Sequence, residues 1–116
     1  MELIFYHLCT LDDWFTDDTE FFSASSLETE GFIHLSTPEE LVNTYKMHFE
    51  PKDRLLCLEV NLTDDDPNLV YEMVESRGIE MPHYYGMIPK NRVYKLHRVH
   101  NAQDAERIAS EFSISK

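Results

Sequence analysis

The run GFIHLSTPEE, residues Gly31–Glu40, reads as a short buried strand leading straight into a helix, and that β-to-α step sets the register for the rest of the chain. Gly31 opens it, and Phe32, Ile33 and Leu35 form its apolar part. Ser36 or Thr37 is placed to cap the helix, Pro38 suits its first turn, and Glu39 and Glu40 favour the positive end of its dipole. Leu41, Tyr45 and Phe49, four residues apart, give that helix one apolar stripe, and Pro51 is expected to end it. In the middle of the apolar strand stands His34, an imidazole where a buried strand would put an aliphatic side chain.

Outward from this run, residues 3–9 (LIFYHLC) and 54–62 (RLLCLEVNL) carry dense apolar side chains over strand-sized lengths. Residues 69–75 and 92–99 are further strands, with 31–35 as the one already read. LDDWF after the first strand reads as a short helical turn capped by Thr10, with Trp14 on its inner side. A last helix, 102–112, follows Asn101 as its cap and should bury Ala105, Ile108 and Phe112. DDDPN (64–68) and ESRG (75–78) read as turns. The order β-α-β-α-β-β-β-α, with strands in runs, predicts an α+β protein.

A chain of 116 residues, 42% hydrophobic, is expected to form one domain over 1–116 with a single core. Its 22 acidic residues against 10 Lys and Arg give a formal charge of -12, a field that repels phosphates, nucleic acid and anionic lipid. An anionic ligand would need a local exception. The opening MELIFYHLCT has no basic leader and reads as a strand, and no apolar run nears the ~20 residues of a membrane span, so a cytoplasmic protein without membrane contact is expected. Cys9 and Cys57 lie in apolar segments without CxxC spacing, which predicts buried reduced thiols.

His7 shares a pleat face with Leu3, Phe5 and Cys9, because alternate strand residues point the same way. His83 lies in MPHYYGMIP, read as a loop, with Tyr84 and Tyr85 after it. Glu59 and Glu72 interrupt the apolar strands LLCLEVNL and LVYEMV. Singly, each such histidine is most simply a core-edge group donating to a backbone carbonyl. Together they are harder to dismiss, because each costs free energy to bury without a partner, and functional sites are where such partners gather. A metal site lacks any ligand spacing such as HExxH, so none is expected, and nucleophilic hydrolysis lacks a GxSxG elbow. A cleft in which neutral imidazoles bond sugar hydroxyls and aromatic rings stack on a base suits nucleotide or sugar-like ligands.

The runs FYHLCTLDDWF, EGFIHLSTPEEL, LLCLEVNL, VYE and MPHYYGMIP, spanning about residues 3–99, together resemble the uncharacterised bacterial family known as domain of unknown function 952. The resemblance implies an ADP-ribosyltransferase-like fold, a small split β-sheet with two or three helices around an NAD-type cleft. It is similar in pattern to the tRNA 2'-phosphotransferase branch, with its YHGT strand, following tryptophan and HVHLS strand. On that likeness His7 and His34 are the catalytic residues that hold the nicotinamide-side ribose. His83 and Tyr85 line the cleft mouth, with Ser36 and Glu72 as further ligand-binding candidates. Glu59 and Glu72 are the candidates for a catalytic glutamate that the pattern does not otherwise place. The implied substrate is NAD, the implied partner a small nucleotide or metabolite, and the implied activity ADP-ribose transfer or NAD cleavage. Leu8 and Glu30 stand where that branch has glycine and arginine, and loss of the arginine removes an RNA phosphate anchor, so nucleic acid is not an expected substrate. The same residues would also serve a non-catalytic module that binds a small metabolite.

Overall fold

The computed structural model describes residues 2–16, 18–50 and 54–114, without the side chains of 112–114. Its strands are β1 (Glu2–Thr10), β2 (Phe21–Phe22), β3 (Ile33–His34), β4 (Leu55–Thr63), β5 (Leu69–Val74), β6 (Ile79–Tyr84), β7 (Ile88–Pro89) and β8 (Val93–Val99). The helices are α1 (Leu11–Trp14), α2 (Ser25–Thr29), α3 (Leu41–His48) and α4 (Ala102–Ile114), with 3-10 turns at Pro38–Glu40 and Lys90–Arg92. The α+β reading holds. There are four α-helices among the described residues rather than two or three.

The strands form three antiparallel sheets, ordered β1-β4-β8, β3-β6-β5 and β2-β7. β4 is central in the first and is covered on both faces, which explains its nearly continuous apolar run. On one face Phe5, Cys9, Leu56, Leu58 and Val60 pack against Phe22, Ile33, Tyr84 and Ile88 of the other sheets. On the other face Tyr6, Leu8, Leu55 and Cys57 pack against Leu41 and Tyr45 of α3 and Ala105 and Ile108 of α4. The two cysteines therefore sit on opposite faces as free thiols, and burial pushes the Cys9 thiol up to about 12.

Several local expectations are met. Thr10 Oγ1 accepts the Asp13 N–H while Asp13 accepts the Thr10 N–H, closing a capping box on α1. Asn101 Oδ1 accepts the Asp104 N–H at the start of α4. Leu41 and Tyr45 are buried and Phe49 packs against the same cluster. The expected helix stop at Pro51 and the burial of Phe112 lie outside the described residues.

Other expectations are corrected. Neither Ser36 nor Thr37 caps α3 with its side chain, because a 3-10 turn precedes the helix and Ser36 is drawn into the sheets. The Tyr6 N–H donates to the Ser36 carbonyl at 2.8 Å and the Ser36 N–H to the Tyr6 carbonyl at 2.7 Å, tying the strand beyond β3 to β1. Gly31 is the stop of α2 more than the opening of a strand. At φ +89 it sends its N–H back to the carbonyls of Ser26 and Leu27, a left-handed helix end that favours glycine. The run read as a loop contains the last four residues of β6, a strand central to its sheet despite Pro82, and the whole of β7. Pro82 is tolerated because its carbonyl accepts from Leu35 just past β3, where the ladder ends and a missing N–H costs little.

Candidate functional site

The Tyr6–Ser36 bridge brings β1 against the end of β3, and with them His7 against His34. His7 Nδ1–H donates to the His34 carbonyl at 2.6 Å, which fixes the proton on Nδ1 and leaves Nε2 as a lone-pair acceptor in the neutral ring. The ring is buried and sits edge-on to Phe22, 5.3 Å between centroids. Burial holds the imidazole below its ordinary pKa, the bond to the His34 carbonyl opposing this in part.

That depression has a measurable consequence. Below the ordinary histidine value of 6.5 the unfolded chain binds a proton that the folded His7 refuses, so stability is lost as pH falls, at up to about 1.4 kcal/mol for each unit until the lowered folded pKa is reached. Above 6.5 this group contributes no slope. Urea unfolding across acidic pH should therefore show a shallower acid loss in His7→Gln than in the wild type, and identical slopes would contradict the neutral buried ring.

His34 corrects the opening expectation of a buried imidazole. Ile33 and Leu35 are fully buried, but the alternation of the strand turns the His34 side chain outward, about half exposed, where Nε2–H donates to Glu30 Oε2 at 2.8 Å. Its Nδ1 is then the open acceptor in the neutral ring. His83 stands opposite His34 in register on β6, the two rings 5.3 Å apart and edge to face. His83 is buried, and Phe32 lies flat on its ring at 4.0 Å and 12°. Its Nδ1–H donates to Glu72 Oε1 at 2.8 Å. Its Nε2 has no partner and is, with Asn61 Oδ1, one of two such buried side-chain atoms among the described residues.

These side chains line a cavity of about 520 Å³, the size of a small-molecule site. His7, His34, Ser36 and His83 are all in its wall. Tyr85 and Glu72 are not: the Tyr85 hydroxyl donates to the same Glu72 oxygen at 2.5 Å, and its ring tilts toward Phe32. That hydroxyl, and then His83, hold the Glu72 carboxyl below its usual range. Glu59 is on the opposite sheet face, where it accepts from His97 Nε2–H at 3.0 Å, so it is not brought to the cavity. Among the described residues no three His, Cys, Asp or Glu side chains gather as a metal would require.

Arg77 and His48 also line the cavity, and no local sequence signal marks either. Arg77 belongs to the turn ESRG, yet its side chain is 6% exposed. Its guanidinium donates to Glu40 Oε1 at 2.7 Å and to Thr44 Oγ1 at 3.2 Å, and the Thr44 hydroxyl bonds Ser36 Oγ at 2.8 Å. Both partners come from the segment following β3, more than thirty residues earlier, and no local pattern signals such a pairing.

A family model described as protein of unknown function (DUF952) matches residues 8–96. No curated protein matches the chain. Among solved structures, protein CC0527 from Caulobacter crescentus is 23% identical over 82% of this chain and 84% of its own, with a TM-score of 0.73, and a double mutant of it matches equally well. That likeness is one of fold. Among the described residues no helix is long and apolar enough to cross a membrane.

Proposed function

The chain belongs to the family described as protein of unknown function (DUF952), and on that footing we propose that its cavity binds an NAD-type nucleotide and transfers or hydrolyses the ADP-ribose. The split sheets around the cavity are read here as the ADP-ribosyltransferase-like arrangement that the family resemblance implies. One observation carries the proposal. His7, His34 and His83 each spend one ring nitrogen on a protein partner and leave the other as an acceptor in the neutral ring. A wall of acceptors selects a ligand rich in hydroxyl donors, and ribose is such a ligand. It also suits an acidic protein, which would hold the nucleotide by its sugars more readily than by its phosphates.

In the proposed reaction the bond between ribose C1' and the nicotinamide nitrogen breaks, and its electron pair neutralises the pyridinium. The sugar passes through an oxocarbenium-like state. Hydrogen bonds fixed on its hydroxyls by His7 and His34 hold C1' toward the incoming oxygen and stabilise the charge as it spreads.

The placement of both candidate glutamates outside the cavity wall favours a second reading, a non-catalytic module that holds a small metabolite. Quantifying nicotinamide released from NAD separates the two. The enzyme releases it, and His34→Ala abolishes release with the fold intact. The module binds without release.

A further inference from the structure

We propose that the Glu72–His83 pair is the proton acceptor of the cavity, with His83 Nε2 taking the proton of the hydroxyl or water that attacks the bound sugar. This rests on the NAD reading for the identity of the electrophile, but the state of His83 is testable without it. Glu72 Oε1 accepts from both Nδ1–H of His83 and the Tyr85 hydroxyl, and a carboxylate can only accept, so the ring proton of a neutral His83 belongs on Nδ1. Nε2 is then a buried lone pair, unanswered by any protein donor, on a ring that lines the cavity. An orphaned buried acceptor destabilises the fold, and a ligand donor would remove that cost.

The surroundings fix the ring. Phe32 stacks on it, His34 meets it edge-on, and Glu72 holds one nitrogen, so rotation of the imidazole away from this pose would break several contacts. The charged or titratable groups around it are Glu72 of β5 and Tyr85 just after β6, His34 of β3 with its partner Glu30 at the end of α2, and Arg77 and His7 farther along the cavity wall.

The step balances. The oxygen of water or an alcohol forms a bond to C1' as the bond to nicotinamide breaks, its proton moves to Nε2, and the imidazolium so formed is countered by the Glu72 carboxylate until it sheds the proton to solvent. Glu72 is a positioning residue, and it lies on the surface, so Glu72→Gln should fold.

Nitrogen-15 spectra of histidine-labelled full-length protein at about pH 8, with and without NAD, test the proposal directly. The expected result is His83 protonated on Nδ1 and bare on Nε2, with Nε2 shifting when NAD shifts His7 and His34. Nicotinamide release in Glu72→Gln and His83→Phe should then drop by about 100-fold or more in kcat, with KM within about three-fold. A proton on Nε2 would overturn the proposal. So would NAD that shifts His7 and His34 but leaves Nε2 of His83 unmoved, with the NAD reading intact. If NAD shifts none of these histidines, the NAD reading fails, while the tautomer still decides whether the pair presents a proton acceptor.

Discussion

Arg77→Met should lower the unfolding free energy by up to about 3 kcal/mol, because it leaves the partly buried Glu40 carboxylate without the buried guanidinium that pairs with it. The loss is specific to one-sided removal. Arg77 ties the turn after β5 to the 3-10 turn and α3 through Glu40 and Thr44, and the same Thr44 hydroxyl bonds Ser36 beside the Tyr6 bridge. Removing the cation strands a carboxylate; removing both charges does not. Arg77→Met combined with Glu40→Leu should therefore recover most of the loss, and a double-mutant cycle in urea checks it. Additive losses in the cycle would mean that the two side chains do not act as a pair.

His34→Ala should leave stability within about 1 kcal/mol of the wild type, since its side chain is half exposed and its bond to Glu30 is a surface ion pair at most. Its effect on the proposed reaction should be far larger. Loss of one preorganised hydrogen-bond partner at the transition state costs on the order of 100-fold or more in kcat, so nicotinamide release should fall by at least that factor. An unchanged rate would remove His34 from the proposed chemistry. The contrast between these two variants divides the cavity wall by role, with Arg77 holding it together and His34 facing what it holds.

The sequence and structure agree most where one strand or one turn decides the outcome. β1 and β4 were legible because their apolar residues recur with strand spacing, and the caps at Thr10 and Asn101 because a capping side chain sits next to the backbone groups it serves. His7, His34 and His83 were legible as a group because each interrupts an apolar run or joins an aromatic one. What they do within the group was not. The exposure of His34 follows from strand alternation between two buried neighbours, and nothing local shows that one face of this short strand is left open; the orphaned Nε2 of His83 depends on Glu72, eleven residues away on a neighbouring strand.

β6 was hidden by Pro82, a residue that argues against a central strand unless the ladder stops beside it, as it does here. β2 and β7 are too short to show a period, and α2 has no capping side chain to announce it. Arg77 was hidden for a different reason. A charged residue in a turn is usually solvated, and only the long-range approach of that turn to α3 buries it. Glu59 shows the reverse error: an acid inside an apolar strand invites a functional reading, and its partner His97 on the far face satisfies it.

Thermal unfolding of the wild type and of His34→Ala, each with and without millimolar NAD, tests the central claim most directly, because a ligand bound only by the folded protein must raise its midpoint. A clear rise in the wild type that vanishes in His34→Ala would place the nucleotide against the histidine wall. No rise in the wild type, or an equal rise in both proteins, would contradict it.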